Sequence, residues 1–505
     1  MKPAAPDSSG ATADARQRGW ALLLCVAAAV RVFIYSAGFP MFSNIDEPRH
    51  FDLVVKYSHG EVPRSLNDVC PEAARDIAIF GSPEYLKSPK DFPDGKIPPP
   101  RWSQSSAEVQ RNLKERFIGW EHYRNSETEQ PPLYYVLAGG WLDVGKGCHV
   151  GADSLLYWIR FLNLLFAGGM VWTGYVAARL AFPDQSALQL GVAALLAFIP
   201  QDAFYSIEND ALSPVCFGLV LICLLRLWSV EVPDKKLGAI TGLALAATYL
   251  AKLTNLPLLA VAAAVVVFKV ISLVRARKLR PALPGLAWLG LCAGLPVAGW
   301  TFWCLANYGD LTGSADKMKL LTWTRKPFSL WWHHPIFTAG GCWTFVSQTL
   351  ASFWRGEFTW YNQRLASPLA DAIYIFSSLL FCAGALLGVL PRSRASAPQR
   401  RAIWISLACF AATVLFFAWL SISLDFGDCY YPSQEYPYFT SGRLLTGALV
   451  PFAVVYVYGL ERALRWTKRR WPFVLALVCL CLLMTVSEII VNRPAFSSAY
   501  NWFHL

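Results

Sequence analysis

The chain has 505 residues, of which 55% are hydrophobic and 16% charged, with a mean hydropathy of +0.36 and a formal net charge of +11. Soluble domains carry roughly 25% charged residues, and apolar runs near the ~20 residues that a bilayer requires recur here, so a soluble globular protein is excluded in favour of a multi-pass membrane protein. The basic residues fall in short clusters between apolar runs, a pattern that membrane topology explains and that offers no nucleic-acid footprint.

Residues 1–18 read as a cytoplasmic N-terminal tail. The first apolar run, about residues 19–37, follows Arg16 and Arg18 and lacks a small-residue cleavage site, which predicts a retained helix and not a signal peptide. Directly after it comes Asn44-Ile45-Asp46-Glu47-Pro48-Arg49-His50. Ionisable groups are costly at membrane depth, so two carboxylates, an Arg and a His at its edge form a candidate functional site. Ordinary solvated loop charge is the alternative. Asp46 and Glu47 open an amphipathic stretch, 47–59, with Phe51, Val54 and Val55 on one side, expected to lie along the membrane interface.

A polar stretch then runs to about residue 130. In Glu129-Gln130-Pro131-Pro132-Leu133-Tyr134-Tyr135, paired prolines stop one helix and start the next, and Tyr134 and Tyr135 suit either a site or the headgroup level. The apolar run 132–142 is too short to span. Further runs centre near residues 168, 193, 221, 245, 264, 295, 378, 412, 451 and 482, which with the first predicts about eleven transmembrane helices.

With the N-terminus cytoplasmic, four of the five inner loops are basic: Lys235/Lys236, Arg275/Arg277/Lys278/Arg280, Arg392/Arg394/Arg400/Arg401 and Arg462/Arg465/Lys468/Arg469/Arg470. The fifth, at Pro183-Asp184, lends no support. A spanning 132–142 would move all four basic clusters outside. The expected plan is a membrane module over 19–303 with a long outer loop at 39–155, an aromatic outer loop at 304–365, C-terminal helices over 366–492 and an outer tail at 493–505. The first outer loop holds half of the acidic residues, and all seven His fall in outer segments.

On that face Glu208-Asn209-Asp210 forms a short acidic turn after Phe198-Ile199-Pro200. It suits a site shared with Asp46 and Glu47, or a plain helix cap by Asp210 or Ser213. Lys252, at the outer end of its helix, is a site cation or a snorkelling side chain. Arg443, in Gly442-Arg443-Leu444-Leu445, is a site cation or an interfacial anchor. Asn307-Tyr308-Gly309-Asp310 and Phe353-Trp354-Arg355-Gly356-Glu357 mix aromatic and charged groups in the large loop. Most of the 13 Cys lie in apolar runs; Cys70, Cys148, Cys342 and Cys429 lie outside them and are free to pair in an oxidising compartment. No Walker-type loop, His-Glu-x-x-His helix or paired Cys-x-x-Cys occurs.

A first helix, then Asp-Glu-Pro-x-His in a long outer loop, then Pro-Pro-Leu-Tyr-Tyr on a juxtamembrane helix resembles the GT-C glycosyltransferases, which include protein O-mannosyltransferases and the aminoarabinose transferase of lipid A. The acidic turn, Lys252 and Gly-Arg-Leu-Leu look closer to a poorly characterised bacterial branch. The resemblance covers islands within about residues 20–460. It implies a GT-C-type all-α membrane fold, a polyprenyl-phosphate sugar donor, a hydroxyl-bearing acceptor, and inverting transfer at the outer (periplasmic) face of a bacterial inner membrane. It implies Asp46 as general base and Glu47 as orienting the acceptor or the loop. Arg443, Lys252 and His50 are then candidates to stabilise the leaving lipid phosphate, and Glu208 and Asp210 to shape the acceptor or a bound cation. Some members use a divalent cation, magnesium or manganese, and others none. The C-terminus lacks the soluble domain that some members use for acceptor binding, leaving the loops 304–365 and 423–441 for that task. A secondary transporter or lipid flippase is the alternative class, against which stand the absence of an internal repeat and the gathering of acids at one face.

Overall fold

The computed structural model describes residues 8–505 except Asn44, Ile45, Ser105, Arg392, Arg394 and Tyr430, with no side-chain description for 8–13, 106, 108–110 and 112. Seventeen α-helices carry the fold: α1 (Ser8–Gly38), α2 (Glu47–Ser58), α3 (Pro71–Phe80), α4 (Ser106–Glu121), α5 (Leu133–Gly147), α6 (Ala152–Ala181), α7 (Ser186–Phe198), α8 (Ser213–Ser229), α9 (Lys235–Ala251), α10 (Leu256–Arg275), α11 (Leu279–Tyr308), α12 (Ser314–Leu320), α13 (Ala339–Arg355), α14 (Pro368–Val389), α15 (Ala397–Ser423), α16 (Leu449–Leu464) and α17 (Trp471–Phe496). The described strands are two-residue pairs: 324–325 against 424–425 and 359–360 against 363–364. This is an all-α polytopic membrane fold.

Nine helices among the described residues are long and apolar enough to cross a membrane, where the apolar runs predict eleven. The two that fall short are α7, of 13 residues, and α9, of 17. Both runs break at the end that carries the acidic turn. Pro200 disfavours helical geometry in the residue before it, and Ile199 is extended (φ −61°, ψ 124°). Lys252 is likewise extended (φ −165°, ψ 138°), and helix resumes only after the 3-10 turn Leu253–Asn255. Hydropathy does not register such breaks, because the flanking residues remain apolar.

Irregular backbone within an apolar bundle persists only where protein groups satisfy its N–H and C=O. They do so here. Asn163 Nδ2 donates to the carbonyls of Phe204 and Ser206 at 3.2 and 2.7 Å, and Ile207 N donates to Glu47 Oε1 at 2.9 Å. At the second break, Asn255 Nδ2 donates to Thr248 O at 3.0 Å and Asn209 Nδ2 to Ala251 O at 3.3 Å. The C-terminal carbonyls of a helix have no partner within it. For α7, Arg31 Nε supplies one by donating to Ala197 O at 3.1 Å, while its Nη1 pairs with Glu488 at 2.9 Å.

The short run 132–142 becomes α5, outside the nine long helices and packed on α2 and α6. α2 presents no free apolar face. Its Glu47, His50, Phe51, Asp52, Val54 and Lys56 are all buried, so opposite faces are enclosed, and Asp52 is satisfied by Lys56 and Asn125 at 2.7 Å each and by Cys70 N at 2.8 Å. Asp210 does not cap α8: it lies in the 3-10 turn Asn209–Ala211, and α8 starts after Leu212 with no side-chain cap. Cys70, Cys148, Cys342 and Cys429 are free thiols.

Candidate functional site

Arg443 is the centre of the site. The turn 440–443 is fixed by Ser352, whose hydroxyl donates to Thr440 O at 2.7 Å and accepts from Gly442 N at 2.9 Å. Gly442 is required there, since a Cβ would collide with the α13 backbone at Ser352 and Phe353. From this turn the guanidinium pairs with Asp46, with Glu208 at 2.7 Å, and with Asp210 and Glu357 at 3.4 Å each. A planar fork with five donors suits such simultaneous pairing, which a compact ammonium does not. Lys252 completes the group by pairing with Asp210 at 2.5 Å; it is buried, not snorkelling.

The loop after α11 adds a third cation. Lys317 of α12 reaches Glu127 at 2.7 Å and Glu129 at 3.3 Å. Glycines at 309 and 313, both with φ near +77° (78° and 76°), turn the chain into and out of this strap. A further carboxylate, Asp202, accepts from Glu357 N and Phe358 N at 2.6 and 2.7 Å.

Seven carboxylates (Asp46, Glu127, Glu129, Asp202, Glu208, Asp210, Glu357) thus surround four cations (Arg49, Lys252, Lys317, Arg443), a surplus of three acids. Three of the acids have raised pKa values. Burial pushes Glu208 up to about 8 against the pull of Arg443, Asp202 to about 7 with Glu357 adding to the shift, and Glu129 to about 7 against Lys317. Partial protonation of those three offsets part of the surplus negative charge near pH 7. Asp46 goes the other way: Arg443 and Arg49 outweigh its burial and hold it well below the usual carboxylate range.

Glu47 does not join the Arg443 cluster. Its oxygens are both taken by Arg160 at 2.7 Å, with Ser43 N and Ile207 N adding bonds at 2.9 Å each. Arg160 also donates to Ser36 O, Phe39 O and Pro40 O at 2.7–3.0 Å. This fully buried pair staples the end of α1, the start of α2 and the 199–208 break together. His50 is removed from the cationic candidates: burial lowers its pKa to about 4, leaving a neutral imidazole 2.7 Å from Tyr135 OH. Tyr134 and Tyr135 are fully buried behind α2, not at an interface.

Of the nine residues expected at the site, Asp46 alone lines the adjacent cavity of about 350 Å3. Around it stand Arg49, Lys87 and Arg116, with Trp120, Tyr85 and Leu86 as apolar surface. Lys87, Arg116 and Trp120 are not marked by any motif; they come from a stretch that reads as polar loop. Arg160 is the one missed residue with a visible signal, a lone Arg within the apolar Leu155–Leu165 run. The acids that sequence suggests for a divalent cation pair with Arg443 and Lys252 instead. Among the described residues no group of three His, Cys, Asp or Glu is arranged to hold a metal.

Fold and site together define a polytopic all-α membrane protein with an enclosed charge cluster whose Asp46 lines a cavity of about 350 Å3. The chain belongs to the family described as predicted membrane protein (DUF2142), whose model matches residues 30–425. That match takes in Asp46, Glu208, Asp210 and Lys252 and ends before Arg443. A comparison with curated proteins finds no match.

Proposed function

We propose that this protein is an inverting glycosyltransferase that moves a sugar from a polyprenyl-phosphate donor to a hydroxyl acceptor at the outer face of a bacterial inner membrane, with its N-terminus cytoplasmic. The observation that carries the reading is the position of Asp46: the one acid of the cluster that lines the cavity of about 350 Å3, beside three cations and a Trp. A sugar hydroxyl is a weak nucleophile near neutral pH, so a carboxylate must accept its proton during attack. The acceptor oxygen forms the new bond to the anomeric carbon while the bond from that carbon to the phosphate oxygen breaks. The proton goes to Asp46, and the lipid phosphate leaves as an anion that Arg49, Lys87 and Arg116 are placed to bind. Trp120 and Leu86 offer apolar surface to a sugar ring or the first isoprene units.

Pairing with Arg443 and Arg49 makes resting Asp46 a poor base. A donor phosphate competing for Arg49, which lines the cavity, weakens that pairing and raises the basicity of Asp46 when substrate is present. Glu47, through Arg160, positions the segment that carries Asp46.

The helix breaks at 199–208 and 252–255 are the feature that favours a transporter, since transporters place charged groups at discontinuous helices. Here the charges at the breaks are consumed by partners within the protein. The test is sugar transfer from radiolabelled polyprenyl-phosphate sugars to a membrane-extract acceptor pool by the purified protein in detergent, where no gradient exists. Transfer supports the enzyme. Substrate movement seen only across sealed vesicles supports transport.

A further inference from the structure

α16 carries the chain from the Arg443 turn to the far end of the bundle, about 33 Å away from residue 443 to residue 465 at helical rise. Two cavities lie at that end, one on each side of the start of α7. The first, of about 520 Å3, is lined by Arg16, Arg179, Asp14 and Asp184, two cations against two acids. Asp14 pairs with Arg179 at 2.9 Å and with Arg18 at 2.7 Å, so one of the two lining cations is already neutralised and the lining carries no excess charge.

The second cavity, of about 430 Å3, is different. Arg465, Lys468, Arg469 and Arg470 line it against the single acid Glu461, and only Arg465 pairs with that acid, at 3.0 Å. Among the described residues Lys468, Arg469 and Arg470 have no ion-pair partner. Lys468 has φ +53°, a left-handed conformation that costs a non-glycine residue energy, and the turn it makes leaves all four cations on one cavity wall. The first turn of α7, Ser186–Leu188, also lines it; no side chain caps this turn, and while Leu188 N donates to Gln185 O at 3.0 Å, the amides of Ser186 and Ala187 add positive potential. Leu188, Leu464 and Phe473 form the apolar part of the lining, and the neighbouring Trp466 and Trp471 are exposed, as aromatic rings at a lipid headgroup boundary are. Charge bias at a membrane face accounts for basic residues in this loop. It does not account for their convergence on a roomy cavity that also receives a helix N-terminus and an apolar wall.

We propose that this cavity is a binding site for an anionic diacyl phospholipid, its phosphate held by Lys468, Arg469, Arg470 and the α7 amides and its acyl chains lying along Leu464 and Phe473. Basic clefts between membrane helices recognise such headgroups by combining charge with an apolar path for the tails. This site is separate from the Asp46 cavity and holds whether or not the transferase reading does.

The test uses the full chain in phosphatidylcholine vesicles, with spin-labelled phosphatidylglycerol or phosphatidylcholine as probe and electron paramagnetic resonance as the readout of the bound fraction. Selective binding of phosphatidylglycerol is expected. The variant carrying Lys468→Gln, Arg469→Gln and Arg470→Gln is expected to lose about a hundredfold in that affinity, the factor three interfacial cations supply. Arg469→Lys with Arg470→Lys, which keeps the charge, retains selectivity. Equal binding of both probes, or equal binding by wild type and the triple variant, overturns the site. Selectivity that does not weaken as ionic strength rises overturns it without recourse to any variant. Displacement of the lipid probe by inorganic phosphate at matched ionic strength overturns the lipid in favour of a free anion.

Discussion

Arg443 and Asp46, 397 residues apart in sequence, form a salt bridge that joins the turn before α16 to the segment before α2. The same guanidinium holds Glu208 and touches Asp210 and Glu357, so it acts as a hub whose geometry a point charge cannot copy. Arg443→Lys is therefore expected to keep the protein folded yet cut turnover by about 10²-fold, since a misplaced catalytic geometry costs that much. Wild-type turnover in Arg443→Lys, measured as donor consumption, would show that the hub is not required.

The Glu47–Arg160 pair is expected to govern stability, not chemistry. Removing one partner of a buried pair leaves an uncompensated charge and costs about 3–5 kcal/mol, whereas apolar replacement of both is often near neutral. Glu47→Gln and Arg160→Met should each lower the thermal midpoint sharply. The double variant Glu47→Met with Arg160→Met should lose less than the sum of the two without recovering fully, because the backbone groups of Ser36, Phe39, Pro40, Ser43 and Ile207 lose their partners. Thermal unfolding in detergent reads all three, and additive losses in the double variant would refute a mutual pair.

Glu208 supplies a pH dependence with a definite sign. Its pKa rises from 4.5 to about 8 on folding, so the folded state binds this proton more tightly than the unfolded state. The resulting stabilisation is fully present below about 4.5 and is lost as pH rises through about 8. Asp46 is depressed and contributes in the opposite sense, at lower pH, outside this window. Glu208→Gln, neutral at every pH, should reduce the fall in stability between pH 5 and 8 that wild type shows, leaving the share of Asp202 and Glu129, which are raised to about 7. A parallel decline in both proteins, followed by chemical denaturation across that range, would place the proton elsewhere.

Much of this was legible in the residues themselves, and the rest was not for identifiable reasons. The long apolar runs predict nine of the long helices, because a bilayer demands length and hydropathy that the chain displays. Asp46, Glu208, Asp210, Lys252 and Arg443 stand out because ionisable groups next to such runs need a reason, and the structure brings all five together. Glu47 looks like the twin of Asp46 because they are adjacent in sequence; its role depends on Arg160, a partner 113 residues away. Lys87 and Arg116 reach the cavity only through the fold of the 59–121 region, which carries no periodic signal. Breaks at Pro200 and Lys252 hide inside apolar sequence.

Lys317 ties the strap 309–323 to Glu127 and Glu129, and few other charges hold it in place. Lys317→Met should free the strap by removing about 3–5 kcal/mol of pairing from a buried site, the range for breaking such pairs. Hydrogen exchange at 309–323 is expected to accelerate strongly while α13 and α14 keep their protection. Unchanged exchange in the strap would mean that the glycine-flanked turn is held by packing alone.

The central claim, that Asp46 is the base of a sugar transfer from a lipid phosphate, is tested most directly by donor turnover in Asp46→Asn. This substitution preserves shape and removes basicity. The purified wild-type protein should consume one member of a panel of radiolabelled polyprenyl-phosphate sugars, and Asp46→Asn should slow that consumption by about 10²–10⁴-fold while its thermal midpoint shows that the fold persists. Near-wild-type turnover in a folded Asp46→Asn protein would contradict the assignment, and no turnover of any donor by wild type in the presence of acceptor would contradict the transferase itself.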